Sequence, residues 1–470
     1  MPIKFGTEGW RAIMAEEFTV DNVRIVAQAI AEHVRASAGR GPITVAVGYD
    51  TRFLSDLFAR TVCEVLSANR ITCVLSDSSV PTCATSRYVV KHRVAAGIMV
   101  TASHNPPAYN GIKVKESFGG SATTETVKSI EWRLGAHPVK RLAFSEALSQ
   151  GLVRQVDFLP DYLNGIRAYV NLAAIRKSRL RVVVDPMHGT GDRIVQRLLA
   201  GGRCQVETLH GEADPRFGGH APEPIMKNLG ELKSRLRKKR WNIGLATDGD
   251  ADRIGAISPT GQFINPGQIL CVLVEHLMAT RGWRGSIVKT VSNTSMIDRL
   301  ADAHGLPLIE VPVGFKHVAK LMMEQNVLIG GEESGGIGVR GYLPERDGIL
   351  LGLLVLEAMA VQEKGIVELL AHLERRFGRW VYARRDLTVS FAQVDRFFAM
   401  LHKQPPSRMA EEAVEHVKTL DGIKLIGRQG SWLLFRRSGT EPIVRVYAES
   451  LTPSRVPKLL DLGVQLIKRA

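Results

Sequence analysis

Val94-Ala95-Ala96-Gly97-Ile98-Met99-Val100, followed at once by Thr101-Ala102-Ser103-His104-Asn105-Pro106, is the stretch from which the rest of the chain can be read. An unbroken run of apolar and small residues has the pattern of a strand buried on both faces, as in sheets covered by helices on either side. In such open α/β sheets the chemistry collects in the crevice outside the carboxyl ends of the strands. Ser103 stands at such an end. Pro106-Pro107 keep a helix from starting immediately, so the hydroxyl belongs to a short, stiff loop. A serine in a simple side-chain turn is the plainer alternative for these residues taken alone.

Outward from this point the same texture repeats. Val45-Ala46-Val47-Gly48-Tyr49-Asp50 and Ile71-Thr72-Cys73-Val74-Leu75 are strand-like, with a helical pattern over 57–68 between them. Arg181-Val182-Val183-Val184-Asp185 and the run 243–246 bracket a helix-like 191–199, and Ser286-Ile287-Val288-Lys289-Thr290 and Leu328-Ile329-Gly330 bracket a helix-like 296–303. After Phe377-Gly378 the pattern changes to Leu387-Thr388-Val389, a helical 394–401, then Trp432-Leu433-Leu434-Phe435 and Val444-Arg445-Val446-Tyr447. The expectation is an α/β protein: three similar domains with mixed sheets over 1–155, 156–257 and 258–375, and a smaller α+β domain over 376–470.

Three more blocks carry chemistry. Ala246-Thr247-Asp248-Gly249-Asp250-Ala251-Asp252-Arg253 follows the apolar Trp241-Asn242-Ile243-Gly244-Leu245 and alternates carboxylates with small residues. Such a cluster repels itself unless a cation fills it, and hard oxygen ligands select Mg²⁺ or Ca²⁺. A calcium loop of the EF-hand type needs Glu at its twelfth position, where this chain has Pro259. A solvated acidic loop explains poorly the apolar Ile254-Gly255-Ala256-Ile257 that follows. Gly330-Gly331-Glu332-Glu333-Ser334-Gly335-Gly336 trails Val327-Leu328-Ile329 and joins flexible backbone to hydroxyl-pairing carboxylates, which suits a carbohydrate. Arg436-Arg437-Ser438-Gly439-Thr440-Glu441-Pro442 gathers guanidinium, hydroxyl and glycine N–H donors, the combination that cradles a phosphate. Singly, these two are also readable as a glycine-rich surface turn and a charged hairpin loop.

In this order the four blocks resemble the α-D-phosphohexomutase superfamily, which includes phosphoglucomutases, phosphomannomutases and phosphoglucosamine mutases, and the resemblance runs the length of the chain. Phe5-Gly6-Thr7-Glu8-Gly9-Trp10-Arg11 looks like its N-terminal motif, Asp185-Pro186-Met187-His188-Gly189 its second-domain strand end, and Pro344-Glu345-Arg346-Asp347-Gly348 its third-domain signature. The resemblance implies four domains around a central cleft that holds the active site. Within it, Ser103 is the phosphorylated nucleophile and, with Asp248, Asp250 and Asp252, a ligand of Mg²⁺. Lys113 matches the lysine near the transferring phosphoryl group, and Arg11, His104 and Arg253 complete the catalytic set. Glu332 and Ser334 meet sugar hydroxyls, Arg436, Ser438, Gly439 and Thr440 grip the phosphate that is not reacting, and Lys316 and Arg445 join the substrate-binding set.

Two departures from the family pattern stand out. Glu8 replaces the commoner aspartate, a residue expected to orient Arg11. Gly335-Gly336 replaces a histidine typical of the dual-specificity phosphomannomutase/phosphoglucomutase branch, and Glu332-Glu333-Ser334 looks like the version of glucose-directed members. The implied reaction is therefore interconversion of hexose 1- and 6-phosphates, with glucose preferred over mannose and glucosamine and glucose 1,6-bisphosphate as activator and intermediate. A Mg²⁺-dependent sugar phosphatase, or a sugar-phosphate sensor without catalysis, shares some of these features; the sensor would be expected to lose Ser103 or an aspartate, and all are present.

Bulk properties agree. At 470 residues the chain exceeds one ordinary core, and its 45% hydrophobic and 23% charged composition is that of a folded protein. No stretch spans a bilayer; the richest, 349–356, reads as a buried helix. The N-terminus lacks the apolar core of a signal peptide. Five cysteines without close pairs imply a reducing compartment, hence the cytoplasm. The net charge of +15 raises nucleic acid as a partner, yet the basic run Lys233 to Arg240 reads as a solvated helix face and no nucleic-acid motif is found. Positive charge also steers anions, and hexose phosphates are the expected partners, with no nucleic acid and no membrane, for a monomer or homodimer.

Overall fold

Three of the four sheets repeat one plan. The computed structural model describes residues 3–6, 8–39, 41–238, 240–437 and 443–469. Its first sheet has strands in the order Trp10–Ile13, Tyr109–Lys115, Ala96–Val100, Thr44–Tyr49, Thr72–Ser76, Val153–Val156. The second runs Phe263–Ile264, Ile254–Ile257, Ile243–Thr247, Arg181–Asp185, Gln205–Thr208, and the third Leu308–Val311, Ser286–Thr290, Val327–Gly331, Ile337–Val339. In each, a first strand (Thr44–Tyr49, Arg181–Asp185, Ser286–Thr290) lies between its two parallel successors. A further strand then turns back antiparallel beside the third. The turn from the third strand to this returning strand holds Ser103 in the first sheet, Asp248 to Arg253 in the second and Glu332 to Gly336 in the third. The second and third strands flank the first on opposite sides, which makes a topological switch point, and the three turns stand at the carboxyl ends of the strands beside it.

The third strands Ala96–Val100, Ile243–Thr247 and Val327–Gly331 are buried at every position, which is why each reads as a continuous apolar run. Helix Gly348–Gln362 is buried nearly all round and packs against strands Ile243–Thr247 and Ile254–Ile257 and helix Pro266–Arg281, joining second and third sheets in one core. Asp347 caps it by accepting from Leu350 N at 2.9 Å. Among the described residues no helix is long and apolar enough to cross a membrane. The five cysteines are all buried and unpaired.

The fourth sheet is antiparallel throughout, in the order Val381–Thr388, Ile443–Ser450, Trp432–Arg437, Ile423–Gly427, Glu412–Lys418, Arg408–Met409. Helices Phe391–Lys403 and Arg455–Arg469 cover one face through Phe397, Leu401, Leu459 and Ile467 against Leu433, Phe435, Val444 and Val446. Two elements differ from the sequence reading. Strand Val381–Thr388 starts well before Leu387, because this half-exposed edge strand carries Arg384, Arg385 and Asp386 and shows no apolar run. The helix expected over 191–199 begins only at Ile194; Gly191 is in a turn where a Cβ would press on Thr247 Oγ1 at 2.8 Å.

Candidate active site

Ser103 is 1% exposed, with φ at +52°, in the left-handed region that non-glycine residues rarely adopt. Its N–H donates to Thr101 Oγ1 (2.8 Å), whose own hydroxyl donates to Asp50 Oδ2 (2.6 Å). The Ser103 hydroxyl donates to Asp248 Oδ2 at 2.6 Å and lies 3.5 Å from His104 Nδ1. Burial, with Arg253 and Arg11 nearby, pushes the His104 imidazole well below its ordinary range, so it is neutral at pH 7. Arg11, on the strand Trp10–Ile13 paired with Tyr109–Lys115, donates to Asn105 Oδ1 at 2.8 Å.

The acidic turn meets the serine directly. Gly249 has no room for a side chain: a Cβ would stand 2.7 Å from the Ser103 carbonyl oxygen and 3.0 Å from Pro222. Asp248, Asp250 and Asp252 are fully buried, and one carboxylate oxygen of each lies within 4.8 Å of the others. Asp248 Oδ1 accepts from Asp252 N and Arg253 N, both at 3.0 Å. Lys113 Nζ donates to Asp250 Oδ2 (2.6 Å) and Asp252 Oδ2 (2.7 Å), while Thr82 donates to Asp250 Oδ2 (2.5 Å). Asp250 Oδ1 and Asp252 Oδ1 are buried with no hydrogen-bond partner among the described residues. Two orphaned carboxylate oxygens beside a third acid are a donor set that fits a hard divalent cation. Burial and the neighbouring Asp252 and Asp250 drive Asp248 well above its ordinary value. Burial would raise Asp252 too, but Arg346, Lys113 and Arg253 hold it below. The same acids outweigh burial at Lys113 and raise its ammonium, which stays charged.

Arg346, 1% exposed, ties three domains together. Its guanidinium contacts Glu8 Oε1 (2.5 Å) and Oε2 (2.6 Å), Asp252 Oδ2 (2.6 Å) and Glu332 Oε2 (3.4 Å). Glu8 therefore does more than orient Arg11, which lies 3.7 Å away: both its oxygens go to Arg346. Burial would raise Glu8, and Arg346 and Lys113 bring it down to about 2. Glu332 Oε1 accepts from Gly314 N at 3.0 Å. Burial pushes this carboxyl up to about 7 against the pull of Arg346. At Gly336 a Cβ would collide with Arg346 Cδ, so this position has no room for a side chain. Ser334 is half-buried at the tip of the same turn, and Lys316 is half-buried in the first turn of helix Phe315–Glu324, directly after Gly314.

Arg436 and Arg445 face each other across paired strands of the fourth sheet. Arg436 Nη2 lies 2.8 Å from Asp421 Oδ2, but its Nη1 is buried without a hydrogen-bond partner among the described residues, as is Arg445 Nε. Asp421 Oδ2 also accepts from Val313 N at 2.8 Å, fastening the fourth sheet to the third domain. Ser438, Gly439 and Thr440 lie outside the described residues.

The fold thus brings Ser103, His104, Arg11, Lys113, Asp248, Asp250, Asp252 and Arg253 into one cluster and joins Glu332 to it through Arg346; Arg436 and Arg445 stand apart on the fourth sheet. Sequence reasoning passed over Arg346, Asp50 and Arg52 as site residues. A signal was present for the last two: Asp50-Thr51-Arg52 follows an apolar strand as abruptly as Ser103 does. Arg346, an arginine between two acids, becomes visible only when three domains converge on it.

Four family profiles match in chain order: the α/β/α domains I, II and III of phosphoglucomutase/phosphomannomutase over residues 2–137, 160–261 and 265–377, and the C-terminal domain over 398–461. A Thermus thermophilus protein of known structure, whose phosphomannomutase name is a provisional assignment, shares 36% identity, covers 100% of this chain and 99% of its own, and superimposes with a TM-score of 0.88. A phosphoglucomutase/phosphomannomutase of Thermococcus kodakarensis is 29% identical over 99% of this chain and 98% of its own length. A phosphoglucosamine/phosphogalactosamine mutase of Sulfurisphaera tokodaii is 29% identical over 95% of each chain. The chain belongs to the phosphoglucomutase/phosphomannomutase family, within the α-D-phosphohexomutase superfamily. Its activity is accordingly that of a phosphohexomutase, an intramolecular phosphotransferase; the names of its relatives divide among sugars.

Proposed function

We propose that this protein interconverts glucose 1-phosphate and glucose 6-phosphate through a phosphorylated Ser103 and a glucose 1,6-bisphosphate intermediate. The observation that carries the reading is the Ser103 hydroxyl 2.6 Å from Asp248 in a buried acidic triad, with Lys113 on two of its members. Asp248, Asp250 and Asp252, with an oxygen of the phosphoserine, would hold Mg²⁺, which when bound withdraws charge from the phosphoryl group. Phosphoryl transfer is mostly positioning and charge stabilisation, and the side chains here are suited to it. Ser103 gives its phosphoryl group to a free hydroxyl of the bound hexose phosphate. After the bisphosphate has turned over, the serine recovers a phosphoryl group from the other end. Lys113, Arg11 and Arg253 hold positive charge around the moving group. Neutral His104 packs beside the serine as an uncharged hydrogen-bonding partner. Glu332, Ser334 and Lys316 orient the sugar, and Arg436, Ser438, Gly439, Thr440 and Arg445 hold the distal phosphate.

Glucose is favoured because the sugar turn keeps Glu332-Glu333-Ser334 and because Gly336 has no space for the histidine of the dual-specificity branch. The cluster is built within one chain, which suits a monomer or homodimer, and five buried, unpaired cysteines suit the reducing cytoplasm. The domain limits proposed from the sequence, 155, 257 and 375, shift by a few residues if each element is kept whole: Val153–Val156 belongs to the first sheet, Phe263–Ile264 to the second, and helix Ile366–Phe377 runs past 375. A coupled assay of glucose 1-phosphate, mannose 1-phosphate and glucosamine 1-phosphate side by side tests the reading. Highest kcat/KM with glucose 1-phosphate is expected. A preference for either other sugar overturns the glucose reading, and sustained release of inorganic phosphate without isomer overturns the mutase reading.

A further inference from the structure

We infer that Arg52 is a positioning residue that holds the Ser103 loop in the geometry needed for phosphoryl transfer. The inference rests on the reading of Ser103 as the phosphoryl carrier. The Arg52 side chain is completely buried. Nη1 donates to the carbonyls of Pro106 (2.9 Å) and Tyr109 (3.0 Å), and Nη2 to those of Ser103 (2.6 Å) and Asn105 (2.7 Å). All four terminal N–H groups of the guanidinium are thereby spent on main-chain carbonyls of the segment 103–109, which curls around one cation. Nε lies 3.2 Å from Asp50 Oδ2, the oxygen that also accepts from Thr101, and Thr101 Oγ1 in turn receives the Ser103 N–H. The serine is therefore gripped on both sides of its Cα: its carbonyl by Arg52, its N–H through Thr101 and Asp50. The left-handed φ of +52° at Ser103 needs such a grip, since an unbraced serine relaxes to the ordinary region.

Arg52 also sets the loop against the second domain. Its guanidinium lies over the Phe217 ring, 4.9 Å from the centroid, and Phe217 is within 3.5 Å of the Cβ position of Gly249 in the acidic turn. The neighbouring Thr51 hydroxyl donates to His188 O at 3.1 Å. The other two α/β domains brace their functional turns from the same place, the end of the first strand. Thr190 N donates to Gly249 O (3.0 Å), and Asn293 Nδ2 to Gly331 O (3.2 Å). Of these three braces among the described residues, the one in the first domain is a buried cation, and it is there that the turn presents the proposed nucleophile.

Arg52→Lys tests the inference, because lysine keeps the charge beside Asp50 but has three donors on a flexible stem and cannot serve four fixed carbonyls. Four quantities are measured on the full chain: thermal unfolding, kcat and KM for glucose 1-phosphate, and the rate at which dephosphorylated enzyme gains a phosphoryl mass on the Ser103 peptide from glucose 1,6-bisphosphate. The expected result is a cooperative melt, KM within about threefold of wild type, and kcat and the Ser103 phosphorylation rate both reduced roughly 100-fold, the scale of an ångström's misplacement at a reacting group. A folded Arg52→Lys with wild-type phosphorylation rate, or a loss carried wholly by KM, overturns the inference. If Arg52→Lys fails to fold, Thr101→Val decides it, cutting the same brace at its other end: a loss in kcat and phosphorylation rate at constant KM supports the inference, and unchanged rates overturn it. Absence of any Ser103 phosphoryl adduct in the wild type would instead fault the underlying function.

Discussion

Ser103 carries a backbone conformation that costs about 1–2 kcal/mol for a residue with a Cβ, and the surrounding hydrogen bonds fix it there before any substrate arrives. Its hydroxyl occupies little buried volume. Ser103→Ala should therefore leave the melting temperature nearly unchanged while abolishing mutase activity and the phosphoryl mass adduct; substantial activity in the folded variant would remove Ser103 from the mechanism. Glu8 has a different role, as a carboxylate that shapes the site by charge. Its pKa falls from the ordinary 4.5 to about 2 in the folded protein. A depressed carboxyl contributes stability that is fully present above the unfolded value and is lost as pH falls through the folded one. The difference between 4.5 and 2 corresponds to about 3 kcal/mol as an upper bound. Glu8→Gln should thus be less stable than wild type at pH 7 by up to this amount, with the gap unchanged down to about pH 5 and narrowing between 4.5 and 2. Urea unfolding at neutral pH and at about pH 3 measures it, and an equal gap at both would show that the Glu8–Arg346 pair contributes nothing.

At the scale of the element, the turns that follow the third strands are packed closely, the first against the second at Gly249 and the third against the start of strand Ile254–Ile257 at Gly335. Gly249→Ala puts a methyl group against the Ser103 carbonyl and Pro222, so it should push the serine loop away from the acidic turn. Activity should fall at least about tenfold with Mg²⁺ saturating, and near-normal kcat would show that the two turns have slack. EDTA should stop turnover and Mg²⁺ restore it, with Asp250→Asn mimicking the chelated state; full activity in either condition would refute the metal site. These turns were legible in the sequence because each trails a strand buried on both faces, a pattern that does not depend on distant partners. Strand Val381–Thr388 was not, since an edge strand with charged, half-exposed residues leaves no apolar signature. Arg346 was hidden for a different reason. Its partner Glu8 is 338 residues away, and no local pattern reports a contact made by folding alone. Nor did Arg436 announce its bond to Asp421, an ion pair that braces strand Trp432–Arg437 from a neighbouring loop.

Over the whole molecule, the charge of +15 forms a field that draws anions toward the protein. Raising ionic strength should lower kcat/KM for hexose phosphates while leaving kcat within about twofold, because screening weakens attraction over distances beyond roughly 10 Å and leaves buried pairs largely untouched. A fall in kcat of equal size would place the salt effect inside the site. The helix Gly348–Gln362 has a further consequence, for the order in which the protein is made. It completes a core whose other members include strands Ile243–Thr247 and Ile254–Ile257, synthesised about 100 residues earlier. While a ribosome is still reading the intervening codons, the second sheet lacks the helix that packs on these two strands, and its core is incomplete. The growing polypeptide must then either pause as an incomplete intermediate or be shielded by a chaperone, so the domains of the finished enzyme are not the units in which it is born.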